Sequence, residues 1–227
     1  MSDTKNHTDR VVIFGGTFNP VHTAHTHVVK EIHRLMKPEK LVVVPAAVPP
    51  HKKSTGIVAS EHRVAMLEKA MEGLPAVISH VELDRQGPSY TVDTLRALAE
   101  EEESPKAFYL TMGVDAFFDF HTWRDEKMIL SMSGLIVVNR PGTDHGDLPV
   151  DIMLTYLKEK IDPDYAWCES EKCFVHPVLM EIVPLTVTLV SPLSSTDVRR
   201  AIFEGDRPKD LLHPEVLRYI EEKGLYR

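Results

Sequence analysis

Cysteine is scarce in this chain: 227 residues hold only Cys168 and Cys173. Two thiols cannot brace a fold of this length, so a disulfide framework is excluded and a reducing cytoplasm is the expected compartment. Long apolar runs are missing too. No uncharged stretch approaches the roughly 20 residues of a membrane span, and the polar opening MSDTKNHTDR has no apolar run behind it of the kind a secretion signal carries. Positive charge is in deficit, with 26 Lys and Arg against 34 Asp and Glu and a formal net charge of −8. Wrapping nucleic acid or coating an anionic membrane needs a broad cationic surplus, so neither partner is expected. A phosphate ligand must then be met by a local positive site. No internal repeat or low-complexity tract is visible, and the acidic run at 100–103 reads as a solvated helix end.

What remains, 43% hydrophobic and 26% charged residues, suffices for one α/β domain with a substantial core. The pattern predicts a polar tail over 1–10 and a single domain over 11–227, with an insert at about 143–184 that resists assignment. The β-branched run at 11–14 ends at Gly15-Gly16, and Val28, Val29, Ile32, Leu35 and Met36 then follow at helical spacing. That is strand, glycine turn, helix. The unit recurs: a strand at 41–44, a helix capped by Ser60 with Val64, Leu67 and Met71 inward, then a strand at 77–83. A helix over 91–103 follows, with Val92, Leu95 and Leu98 inward, then strands at 108–112 and 135–138. Residues 151–160 can form a helix, and 161–184 show no clear period. A last strand is expected at 186–190, then a helix from Ser195 closed by Gly205, and another opened by Pro214 and closed by Gly224. Alternating strands and helices imply a Rossmann-like, doubly wound and mostly parallel sheet, with a C-terminal helical region.

In such a sheet ligands bind at the carboxyl ends of strands. Glycines there let the backbone approach a phosphate, and the next helix aims its free N–H groups at it. Gly15 and Gly16 occupy that place, although a plain turn would use the same residues. His22 and His25 stand three apart at the start of the predicted helix, so both rings can face the turn and donate to phosphate oxygens. Capping or surface polarity is their ordinary alternative, and a His-x-x-His pair without a third ligand does not make a zinc site. In SSTDVRR, at 194–200, Ser194 or Ser195 suits an N-cap and Asp197 a first turn. Arg199, one turn in, can hold phosphate oxygens with its planar fork. Cys168, Cys173 and His176 match no zinc-ligand spacing and receive no role.

GGTFNPVHTAH, at 15–25, resembles the GGTFDPxHxGH signature of the nucleotidyltransferase superfamily. Asn19 stands where Asp is commoner, and Ala24 where Gly is usual. LSSTDVR, at 193–199, is similar to that superfamily's ISSTxIR motif. VPPHK at 48–52, HRVAML at 62–67, PSYTVDTL at 88–95, MGVDAFFDFHTW at 112–123, NRPG at 139–142 and the terminal LLHPEVLRYIEEKGLYR extend the likeness. They point to the nicotinate or nicotinamide mononucleotide adenylyltransferases.

The resemblance implies ATP-dependent adenylylation of nicotinate mononucleotide with release of pyrophosphate, a step of NAD synthesis. It assigns His22, His25 and Arg199 to catalysis. Gly15, Gly16, Thr17, Phe18, Gly113, Asp115, Ser194 and Ser195 would bind ATP, and Asn19, Lys52, Thr91, Trp123 and Arg140 the mononucleotide. Mg²⁺ would come with the ATP phosphates, with no metal ligand from the protein. The partners are then the two small-molecule substrates, and a homo-oligomer stays open. Phosphopantetheine or glycerol phosphate is the rival substrate within the superfamily, and a non-catalytic nucleotide-binding protein is the rival from another class. A transfer in which the substrate's own phosphate attacks ATP needs alignment and charge stabilisation, not an activated Ser or Cys.

Overall fold

The structure, a computed structural model, describes residues 9–47, 56–85, 87–104, 106–139, 149–186 and 194–227. Its strands in chain order are β1 (Arg10–Gly16), β2 (Lys40–Pro45), β3 (Val77–Ile78), β4 (Ala107–Gly113), β5 (Ser133–Asn139), β6 (Ala166–Cys168), β7 (Cys173–Val175) and β8 (Ile182–Thr186). The helices are α1 (Thr23–Met36), α2 (Ser60–Met71), α3 (Thr91–Glu101), α4 (Val114–Phe118), α5 (Glu126–Met132), α6 (Val150–Tyr156), α7 (Ser195–Phe203) and α8 (Pro214–Lys223). Two compact units divide the chain: Met1–Phe14 with Tyr90–Pro192, and Gly15–Ser89 with Leu193–Arg227.

In the first unit β1, β4, β5 and β8 pair in parallel, and the antiparallel hairpin β6–β7 continues from β8. Every residue of β5 is buried, as expected for a parallel strand covered on both faces, which reads as an unbroken apolar run rather than an alternation. Helix α3 buries Val92, Leu95 and Leu98. Gly134 in β5 is where the packing is tightest: a Cβ there would lie 2.8 Å from the Glu181 carbonyl oxygen and 2.8 Å from the Tyr109 ring. Tyr109 in turn donates its hydroxyl to the Glu181 carboxylate. Gly134→Ala should therefore cost about 1–3 kcal/mol, the scale of overpacking. That corresponds to a Tm several degrees lower, at about 2–4 °C per kcal/mol for a chain of this size. A thermal melt superimposable on wild type would mean that β8 and Tyr109 yield freely.

In the second unit β2 pairs in parallel with β3. Helix α1 buries Ala24, Val28, Val29 and Ile32, the spacing that predicts it. Helix α8 begins with Pro214 and ends at Gly224 in the left-handed conformation, as its sequence signals imply. Tyr219 of α8 meets the His62 ring of α2 at 2.9 Å.

The mostly parallel, Rossmann-like α/β architecture expected from the alternation is the one observed. Several boundaries differ. The strand expected over 77–83 stops at Ile78, because the Ser79 hydroxyl accepts the Val81 N–H and turns the chain. Ala59, not Ser60, is the N-cap of α2. The last parallel strand is Ile182–Thr186 rather than 186–190, and residues 187–190 lie outside the described residues. The 151–160 helix is α6 continued by a π-helical turn at Leu157–Ile161. Beyond it, the patternless stretch holds β6, β7 and part of β8, strands too short to show a period. Among the described residues no helix is long and apolar enough to cross a membrane.

Candidate active site

The second unit carries the glycine turn and both of the motifs that flank the chain. Gly15 has open space where a Cβ would stand, so a ligand can approach its backbone. Gly16 has the opposite reason to be glycine: a Cβ would come within 2.9 Å of the Phe18 ring. Phe18 folds back onto it from a left-handed conformation, φ +48°, and is 2% exposed. The Gly16 carbonyl accepts the Ala46 N–H at 2.9 Å, which ties the turn to the end of β2.

His22 is the N-cap of α1 and is 3% exposed, while His25 takes the third helical position. Their rings lie 3.7 Å apart, and Phe18 meets His25 edge-on at 5.1 Å. Nδ1 of His25 accepts the backbone N–H of His22 at 3.2 Å. That contact caps the helix, the ordinary role, and also sets the tautomer: a neutral His25 with Nδ1 as acceptor carries its proton on Nε2. No acidic side chain stands in the first turn of α1, so the positive end of its dipole is not offset there.

Helix α7 brings the second motif onto the same loop. Ser194 is its N-cap, with its hydroxyl accepting the Asp197 N–H at 3.2 Å and donating to the Asp197 carboxylate at 2.6 Å. This bond, helped by the Arg200 charge, holds the Asp197 carboxyl below its ordinary range. Ser195 donates its hydroxyl to the Pro20 carbonyl at 3.0 Å. Arg199 spans two acceptors, the Asn19 carbonyl at 2.8 Å and the Thr196 hydroxyl at 3.2 Å. Arg63, in α2, approaches from another side and donates to the Thr17 carbonyl at 2.9 Å while only 2% exposed. Burial lowers the pKa of this guanidinium. Among the described residues the hydrogen bonds of both guanidiniums run to neutral oxygens of this loop and of Thr196, so two positive charges stand against its carbonyls.

Asn19 is 4% exposed and both ends of its amide are hydrogen-bonded. Nδ2 donates to the Gly56 carbonyl at 2.8 Å, and Oδ1 accepts the Val58 N–H at 3.2 Å and the Tyr226 hydroxyl at 2.9 Å. The sequence motifs assign no role to Arg63 or Tyr226. The buried positions of α2 run 63, 66, 67, 70 and 71, so Arg63 rather than the expected Val64 occupies a core position of the helix.

The first unit holds Gly113, Asp115, Thr91 and Trp123. Gly113 ends β4 as the N-cap of α4, with open space at its Cβ position, and Asp115 lies in the first turn of α4. Thr91 opens α3, whose first turn also contains Asp93. Trp123 is half-buried and packs against Phe120 at 5.4 Å. Arg124, next to it, lies over the Tyr90 ring at 4.7 Å and so sets a cation at the head of α3. Nothing in its sequence context singled Arg124 out. Lys52 and Arg140 lie outside the described residues.

Among the described residues, metal-ligand side chains cluster at Asp162, Asp164 and His176 and not at the cysteines, which face each other across β6 and β7 as free thiols. Nδ1 of His176 accepts the Val178 and Leu179 N–H groups at 3.1 and 2.9 Å. A neutral ring then carries its proton on Nε2, the atom 3.1 Å from Asp162, and an N–H cannot ligate a metal. The group reads as a histidine–carboxylate contact, in which the His176 N–H holds the Asp162 carboxyl below its ordinary range.

An α/β fold with glycines at a strand's carboxyl end, two histidines at the head of the next helix and two arginines on one loop is the arrangement of a nucleotide-binding transferase, and the cytidylyltransferase-like family matches residues 13–201. A probable nicotinate-nucleotide adenylyltransferase of Acidithiobacillus ferrooxidans is 34% identical over 220 residues, covering 96% of each chain. A relative so described from Geobacter sulfurreducens is also 34% identical over 220 residues, covering 94% of this chain and 96% of its own. The chain belongs to the nicotinate-nucleotide adenylyltransferase family. Among solved structures, Plasmodium falciparum nicotinic acid mononucleotide adenylyltransferase complexed with NaAD aligns with a TM-score of 0.70. It covers 96% of this chain and 97% of its own at 18% identity, a likeness of fold.

Proposed function

We propose that this protein transfers the adenylyl group of ATP to nicotinate mononucleotide, giving nicotinate adenine dinucleotide and pyrophosphate. The observation that carries the reading is the loop at 15–20, where open backbone at Gly15, the head of α1 and the guanidiniums of Arg63 and Arg199 gather. The mononucleotide phosphate oxygen attacks the α-phosphorus, the bond to the bridging oxygen breaks, and pyrophosphate leaves with the electron pair. No covalent enzyme intermediate is needed, so the side chains contribute alignment and charge stabilisation.

In this reading the N–H groups of 15–18 face the ATP phosphates, and His25 donates Nε2–H to the charge that grows on them. His22 holds the ring of His25, and Ser195 and Arg199 keep the loop in place, with Arg199 retaining N–H groups for phosphate oxygens. Gly113 and Asp115 take the adenosine side. Thr91 and Trp123 take the nicotinate mononucleotide, joined by Lys52 and Arg140. Mg²⁺ would come with the ATP phosphates, where it would neutralise charge on the leaving group.

The acid is expected to be preferred over the amide by about tenfold or more. The N–H groups at the head of α3 and the Arg124 cation favour a carboxylate, and a carboxamide there turns a donor toward donors, at roughly 1–3 kcal/mol. Pyrophosphate release with ATP and each mononucleotide tests both points. Release with neither substrate would overturn the activity, and a preference for the amide would overturn the specificity.

A further inference from the structure

We propose that Tyr226, next to last in the chain, is a positioning residue for the nucleotide loop and acts through Asn19. The proposal rests on the assignment of that loop to ATP. Asn19 sits at the centre of the loop, and its carboxamide oxygen spends both lone pairs, one on the Val58 N–H and one on the Tyr226 hydroxyl. Its Nδ2 donates to the Gly56 carbonyl, which fixes the amide's orientation, and its backbone carbonyl takes Arg199. Four segments thus converge on one residue: the loop, 56–58, α7 and the chain end. An aspartate at this position would have no N–H for Gly56, so the asparagine of this chain has a chemical reason.

The conformation of Tyr226 supplies an independent sign. It lies at φ +65°, just after Gly224 at +61° has ended α8. A left-handed tyrosine is sterically disfavoured and persists where its surroundings hold it. The same holds for Phe18 at φ +48°, within the loop that Tyr226 braces. Burial pushes the Tyr226 hydroxyl well above its ordinary pKa, so it stays a neutral donor to Oδ1. A loop displaced by a fraction of an ångström misaims its N–H groups at the phosphates, which is read in turnover.

Tyr226→Phe keeps the ring and deletes the donor. It should lower kcat about threefold to tenfold, the scale of one neutral hydrogen bond, with a Tm no more than a few degrees lower. The deciding measurement is a double-mutant cycle with Asn19→Ala, or with Asn19→Ser if the alanine variant does not fold. If Tyr226 works through Asn19, adding Tyr226→Phe to the Asn19 variant changes kcat by less than about twofold. A merely packed chain end would lose the full factor again, and that result overturns the proposal, as does a Tyr226→Phe single variant with wild-type kcat. His25→Ala, assayed alongside, separates the two levels. Normal turnover in that variant removes the ATP assignment itself, whereas a crippled His25→Ala with an additive cycle removes only the role of Tyr226.

Discussion

His25→Ala will lower kcat by roughly 10²-fold or more, the scale for losing one donor that acts in the transition state. The residue is half-buried, so the fold survives. Its Nδ1 contact with the His22 N–H is a cap, and losing it costs on the order of 1 kcal/mol, a few degrees of Tm. The two effects differ in kind, since a drop in stability leaves turnover at 25 °C intact when the protein is folded. Turnover at saturating ATP, beside a melting curve, is the measurement. A variant with near-normal kcat would mean that the ring only caps α1. His22→Ala should be as slow and less stable, because His22 is 3% exposed and stands at the N-cap itself.

Arg199→Lys should reduce kcat/KM for ATP roughly tenfold to a hundredfold, the scale of one charge-assisted hydrogen bond. Two ends of the guanidinium hold separate acceptors, the Asn19 carbonyl and the Thr196 hydroxyl. An ammonium is a single point donor and cannot bridge them while also offering N–H groups to a phosphate. Charge is conserved in this variant, so the loss isolates geometry. ATP titration at saturating nicotinate mononucleotide gives the answer, and unchanged kcat and KM together would sink the assignment.

The local parts of this site were legible because they depend on near neighbours in sequence. The run at 11–14 reads as a strand, which in the structure continues through Gly15 and Gly16 so that the turn comes after them, and the 28, 29, 32 spacing reads as a helix with His22 and His25 at its head. Ser194 and Asp197 read as a cap for the same reason and form one. Short elements were not legible, since β3 pairs over two residues and β6 and β7 over three, fewer than a period needs to declare itself.

By itself, then, the sequence determined the α/β class, the place of the glycine turn and the family, because periodicity and motif are written in consecutive residues. Only the tertiary structure decided what surrounds the turn. Ser195 and Arg199 meet the carbonyls of Pro20 and Asn19 across 175 and 180 residues, and Tyr226 meets Asn19 across 207. Such contacts follow from how distant segments pack, and no local pattern encodes them. Arg63 shows the difference most plainly: the helix spacing sets Val64, Leu67 and Met71 inward, and only the packed chain reveals that Arg63 is buried and aimed at the Thr17 carbonyl.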